Sequence, residues 1–301
     1  MKLCGVEIPE SQFESRSSSY VLFTIDSFLS PVVDAELVET FPDELMLERL
    51  GSRLAVNVDL SEPSRDVLAF LQQNRIWEAY LRDWMSGDQV KDLVDTFSKD
   101  WESRWYRLWR PLMRFRSRNV KNLEITVLLS IYRTGFQLTP HSDDKFKLLS
   151  LIHYLPNSQA PDVFGAGTTF YRPKPETKRR DLRQFSEWSR GVRRYLPLCL
   201  APSIEAGLAR RYFETDVLSE EQLERFFKFF SLEEHVDYKR NRISGFVKND
   251  WSMHEVDLRG FPTDQLRRAV LINIRLKPTP MSRFIPGLEK IYVRFRARLS
   301  D

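Results

Sequence analysis

Tyr132-Arg-Thr-Gly-Phe-Gln-Leu-Thr-Pro-His-Ser-Asp143, followed by the apolar run Leu148–Leu155, is the stretch around which the rest of the chain is read. The run is the length of one strand and bounded by polar residues, so it reads as a buried strand. Just before it, His141 and Asp143 stand two residues apart. In extended backbone, residues i and i+2 share a side. One imidazole and one carboxylate can therefore reach one metal ion from a single short segment.

The chain holds four histidines, His141, His153, His235 and His254. His254 lies far downstream, in Phe246-Val-Lys-Asn-Asp-Trp-Ser-Met-His-Glu-Val256. Two imidazoles and one carboxylate form the ligand set that leaves open positions on a non-haem ferrous ion. The same set also binds zinc, and a lone His-x-Asp is more often a surface pair than a ligand pair. His153 sits inside the apolar run and reads as a core residue. His235, in Glu233-Glu-His-Val-Asp237, reads as a surface residue.

Outward from this stretch the pattern is uneven. Residues 1–122 are mainly helical in pattern, after a polar arm and a β-branched strand candidate, Tyr20–Ile25. Ser30-Pro31 opens a helix with a serine N-cap and proline at the first helical position. Residues 64–86 carry one broad apolar face and read as one helix. A longer helix is expected from about residue 89 to 118. Trp101, Trp105 and Trp109 recur on one face of it, among seven Lys/Arg against one Glu between 101 and 121. Interleaved basic and aromatic residues can mark a nucleic-acid surface. A tryptophan stripe packed on a sheet, with the arginines solvated, is the favoured reading.

Short β-like runs make up 123–171 and return at 243–277. Between them, 172–242 reads as an insert, basic at first (nine Lys/Arg against three Asp/Glu over 172–194) and then helical from a capping box at Ser219-Glu-Glu-Gln222. As a loop between core strands it is a candidate lid. The expected fold class is α+β in one domain spanning 1–301, with an antiparallel β core and helices on one sheet.

With 301 residues, 42% hydrophobic and 29% charged, the composition is that of a globular protein. Cys4 and Cys199 make neither a disulfide framework nor a metal knuckle, so a reducing, cytoplasmic setting is the expectation. No apolar stretch of membrane-spanning length occurs. A net charge of +4 leaves nucleic acid a possible partner that is not favoured.

The blocks Tyr132-x-x-Gly135-x-x-x-x-Pro140-His141-x-Asp143, Gly165-x-Gly-Thr-x-Phe-Tyr171, Phe246 to Val256 and Arg267-Arg-Ala-Val-Leu-Ile-Asn-Ile274 together resemble the iron(II)- and 2-oxoglutarate-dependent oxygenases, prolyl-hydroxylase-like, of the double-stranded β-helix (jelly-roll) fold. Phe23 to Pro31 adds a weaker match. The resemblance implies Fe(II) held by His141, Asp143 and His254, with 2-oxoglutarate and O2 as co-substrates. It implies a buried arginine for the far carboxylate of 2-oxoglutarate. Arg267 and Arg268 are adjacent and face opposite sides of a strand, so one can serve. The family's Arg-x-small pattern favours Arg267 with Ala269. Tyr132 either reaches the co-substrate or is a core tyrosine. Gly165 and Gly167 read as turn-forming. No catalytic residue beyond the metal ligands is implied.

The implied reaction is hydroxylation of an unactivated C–H, with release of succinate and CO2. Asp143 is present, whereas relatives that halogenate lack this carboxylate. The expected substrate is a small molecule or a carrier-bound or peptidyl group. The alternatives are a macromolecule (protein or nucleic-acid) hydroxylase or demethylase, and a non-catalytic binding module on the same fold.

Overall fold

The computed structural model describes residues 2–3, 6–7, 20–50, 55–58, 63–86, 88–97, 122–143, 147–157, 163–177, 218, 220–248 and 252–277. The chain forms two compact units. The first comprises residues 1–175 and 230–276, the second 176–229 and 277–301.

In the first unit, two antiparallel sheets carry the architecture. The strands are β1 (Lys2–Leu3), β2 (Val6–Glu7), β3 (Leu22–Ile25), β4 (Ala55–Asn57), β5 (Leu123–Tyr132), β6 (Gln137–Ser142), β7 (Lys147–Tyr154), β8 (Val163–Pro173), β9 (Phe230–Tyr238), β10 (Arg242–Val247), β11 (Met253–Asp257) and β12 (Arg267–Leu276). One sheet has the order β3-β10-β7-β12-β5-β4 and the other β6-β11-β8-β9, while β1 and β2 pair separately.

Alternation along the strands explains the layering. On β12, Val270, Ile272 and Ile274 join one apolar cluster, while Ala269 belongs to a second, with Leu271 packed against it. On β7, Leu149 and Leu151 lie in the first cluster, and Ile152 and Tyr154 in the second. The second cluster also takes Ala166 and Phe170 from β8, Val236 and Tyr238 from β9, and Val256 from β11. It is therefore the layer between the two sheets.

The first cluster lies on the other face of the six-stranded sheet, under five helices. These are α1 (Pro31–Glu39), α2 (Glu44–Leu50), α3 (Arg65–Gln73), α4 (Arg75–Met85) and α5 (Asp88–Phe97). Ser30 caps α1 and Ser64 caps α3, each side chain accepting from the backbone three residues on. The expected single helix over 64–86 is instead two. Asn74 breaks it with a non-helical backbone (φ −124°, ψ 77°), and its side chain donates to Phe70 O at 2.9 Å. The Trp77 indole N–H then reaches Thr40 O at 3.2 Å, fixing α4 against the end of α1.

The expected insert over 172–242 is too wide. Residues 230–238 form β9, which pairs with β8 from Val163↔Tyr238 to Pro173↔Phe230. Its charged side chains gave it a surface pattern, but Phe230, Val236 and Tyr238 are buried. Gly165 and Gly167 lie within β8 rather than in a turn. At Gly165 the backbone is left-handed (φ +90°), and the β8–β9 register shifts between Val163 and Thr168.

In the second unit, α6 (Glu220–Phe229) is the described element, amphipathic in pattern, with the Thr177 hydroxyl donating to Phe229 O. Of the remaining expectations, residues 98–121 with their tryptophans, 178–194, Ser219 and 278–301 lie outside the described residues. Among the described residues no helix is long and apolar enough to cross a membrane.

Candidate metal centre

β6 and β11 are neighbours in the four-stranded sheet, and their register sets His254 directly opposite His141. Residues opposite each other in a ladder project to the same face. The two imidazole centroids are 4.3 Å apart. Asp143 follows immediately after β6. His141, Asp143 and His254 each offer a ligating atom within 4.8 Å of the other two. Asp143 and His254 are buried and His141 is partly exposed.

Both rings are fixed by the backbone. His141 Nδ1 lies 2.9 Å from Thr139 O, and His254 Nδ1 lies 3.2 Å from Ser252 O. A carbonyl oxygen only accepts, so each Nδ1 carries the proton and each Nε2 keeps a lone pair. Tying one ring nitrogen to a carbonyl is how metal-ligating histidines are oriented. Burial lowers the pKa of His141 and pushes that of His254 down to about 3. Both are thus neutral at physiological pH, the form that ligates metal.

The carboxylate is held as well. Lys147 Nζ donates to Asp143 Oδ1 at 2.7 Å, and Ser150 Oγ donates to Oδ2 at 2.7 Å. Burial pushes the Asp143 pKa up, but Lys147, His254 and His141 together hold the group well below the usual carboxylate range. Asn273, opposite Ser150 across the β7–β12 ladder, places Oδ1 3.4 Å from the same hydroxyl. Phe246 and Phe170 form an aromatic wall beside His254, at 4.6 and 6.0 Å between centroids.

The two arginines separate as their strand position requires. Arg267 lies opposite Tyr132 and turns into the layer between the sheets. It is 2% exposed. Nε donates to Ala166 O at 2.6 Å, and the guanidinium carbon lies 5.4, 5.7 and 5.9 Å from the rings of Tyr154, Tyr238 and Tyr132. Among the described residues no carboxylate pairs with it. Arg268 turns the other way, over the Phe41 ring at 5.6 Å with Nη1 3.4 Å from Val38 O.

Tyr132 is buried, stacks on Phe136 at 4.0 Å, and its phenol pKa is raised by burial against the opposing charge of Arg267. His153 is away from the centre. It packs under α4, hydrogen-bonded through Nδ1 to the Tyr80 hydroxyl at 2.9 Å, with Phe28 edge-on. His235, expected on the surface, is half-buried, with Nδ1 2.9 Å from Thr169 Oγ1.

Sequence reasoning passed over Lys147, Ser150, Asn273, Tyr154 and Tyr238. Two left a trace. Ser150 and Asn273 are polar interruptions in otherwise apolar strands, and a buried polar group needs a partner. Two nitrogens on paired strands and one oxygen just beyond β6, with the rings neutral and their outer nitrogens committed, fit a divalent first-row metal.

No protein-family model matches the chain, and no curated protein matches it. Solved structures do. A non-heme alpha ketoglutarate dependent carbocyclase, SnoK, from nogalamycin biosynthesis matches with 9% identity over 94% of this chain and 91% of its own, at a TM-score of 0.45. AviO1 from Streptomyces viridochromogenes matches with 9% identity over 91% and 99%, at 0.42. EvdO2 from Micromonospora carbonacea var. aurantiaca, solved as a complex with 2-oxoglutarate, matches with 13% identity over 93% and 98%, at 0.39. At these scores the likeness is distant, and the chemistry rests on the residues described above.

Proposed function

We propose that this chain is an Fe(II)- and 2-oxoglutarate-dependent oxygenase of the double-stranded β-helix type. His141, Asp143 and His254 hold the ferrous ion, and Arg267 receives the distal carboxylate of 2-oxoglutarate. The observation that carries the reading is the conjunction of two features in one intersheet layer. One is a His-Asp-His cluster whose imidazoles are neutral and fixed by Thr139 and Ser252. The other is a buried guanidinium with no carboxylate partner among the described residues.

An unpaired buried charge costs several kcal/mol, on the order given for one ion removed from water, and three tyrosine faces offset part of that. A dicarboxylate would satisfy both, with one carboxylate for the metal and the other for Arg267. The planar guanidinium suits a carboxylate bidentately. Bound together, iron and 2-oxoglutarate supply oxygen activation coupled to loss of CO2 and formation of succinate. The protein's part is to orient and to exclude water. Ser150 aims the Asp143 carboxylate, and Tyr154, held by Thr168 Oγ1 at 2.7 Å, supports the arginine end. Phe170 and Phe246 keep the His254 side apolar. The substrate class is hydroxylation of a C–H in a small-molecule, carrier-bound or peptidyl group.

The test is anaerobic addition of Fe(II) and 2-oxoglutarate. A weak visible charge-transfer band is expected, and succinate on admitting oxygen. A protein that binds neither, or gives no band, overturns the reading.

A further inference from the structure

Asp143 uses its two oxygens differently. Oδ2 takes the hydroxyl of Ser150, a short side chain buried on β7. Oδ1 takes the ammonium of Lys147, whose side chain keeps 19% of its surface exposed. The serine is neutral and has no freedom to leave. The lysine is a cation on a flexible four-carbon stem with a route to water.

A buried carboxylate without a cation is costly. Lys147 supplies that cation to Asp143 within the chain. A divalent metal arriving on Asp143 brings a second cation to the same group, and two cations a few ångströms apart repel strongly in a buried site. Asp143 cannot turn away, because Ser150 holds Oδ2.

We infer that Lys147 is a built-in stand-in for the metal: it occupies Asp143 Oδ1 in the metal-free protein, keeps the carboxylate aimed, and is displaced toward solvent when the metal binds. This rests on the metal-site reading above. Lys147 is a positioning residue, and it lowers the affinity of the centre it prepares.

The experiment uses the full chain and Mn(II), followed by calorimetry. Lys147→Met should tighten Mn(II) binding by about tenfold or more, the scale of removing one nearby like charge. Lys147→Arg, which keeps the charge, should stay near the wild type. Without metal, Lys147→Met should melt below the wild type, and Mn(II) should raise its melting temperature by more. Equal or weaker binding by Lys147→Met overturns the inference. A wild type that binds no Mn(II), with Lys147→Met also silent, overturns instead the metal-site reading. A second measurement needs no variant. Acetic-anhydride labelling of Lys147 in the wild type, read by peptide mass spectrometry, should accelerate when Mn(II) is added. A labelling rate that saturating Mn(II) leaves unchanged means the ammonium never leaves Asp143, and the stand-in role fails.

Discussion

His254 stands directly across the β6–β11 ladder from His141, the two rings 4.3 Å apart although 113 residues (254 − 141) separate them in the chain. Neither strand alone offers a complete ligand set. The cluster exists only where β6 and β11 are paired, so anything bound to it stabilises the folded state selectively. At a free metal concentration one hundred times Kd, linkage gives about 2.7 kcal/mol. Wild-type protein should therefore show a clear rise in melting temperature with Mn(II). His254→Ala and His141→Ala should each lose most of it. A rise that survives both substitutions would place the metal elsewhere.

Arg267 and Arg268 predict opposite phenotypes. Arg267 lacks a carboxylate partner among the described residues, so Arg267→Met relieves a buried charge and should leave stability unchanged or higher. It should weaken 2-oxoglutarate binding to the Mn(II)-loaded protein by about 2–5 kcal/mol, the range for losing one partner of a buried charge pair. Arg268→Met should leave that affinity in place. It should instead lower stability by about 1 kcal/mol through lost contact with Phe41 and Val38 O. Calorimetry with 2-oxoglutarate and urea unfolding separate the two, and a reversed order would reassign the co-substrate pocket to the helix side of β12.

How far this was legible in the sequence varies by residue, and the reasons are physical. His141 and Asp143 were legible because an extended backbone puts i and i+2 on one side whatever the tertiary fold. That Arg267 and Arg268 face opposite sides was legible because adjacent strand residues must diverge, but which of them turns inward was not. The Leu148–Leu155 run marked its strand by composition. By contrast β9 was hidden, because one of its faces carries charges and only Phe230, Val236 and Tyr238 turn inward. β11 has five residues, two of them acidic, too few to show a period. The tyrosines around Arg267 depend on registers that no local pattern reveals. Tyr154 is there because it pairs with Ala269, and Tyr238 because it lies at the far end of the β8–β9 ladder. Lys147 lies only four residues from Asp143, but no helix or strand period announces their contact, whereas Ser150 and Asn273 could have been flagged as polar breaks in apolar strands.

Gly167 is a packing requirement on the sheet that carries His254. A Cβ there would stand 1.8 Å from Val236 O on β9. Backbone cannot yield as a side chain can, so Gly167→Ala must push β8 and β9 apart. A loss of more than about 3 kcal/mol is expected, in the upper tail for single substitutions. Gly260→Ala meets nothing within 4 Å and should stay within about 0.5 kcal/mol of the wild type. Paired denaturant curves decide it, and equal stability of the two variants would show that β8 and β9 are not packed as described.

His153 gives the fold a pH dependence of its own. Burial under α4 pushes its pKa down to about 3, and Nε2 has no partner among the described residues. The unfolded chain titrates near the ordinary value of about 6.5. Between these values the unfolded state binds the proton and the folded state does not. Stability from this residue is therefore complete above about pH 6.5 and is lost as pH falls toward 3, at about 1.4 kcal/mol per pH unit. His254, lowered for the same reason, contributes in the same window, so the wild-type slope alone does not isolate His153. The difference between wild type and His153→Gln does, because His254 is common to both. Urea midpoints at pH 7.5, 6, 5 and 4 should show a wild-type advantage that shrinks steadily below pH 6.5. An advantage that stays constant across that range would mean His153 is protonated within the fold, with an acceptor for its second N–H that the packing under α4 does not provide.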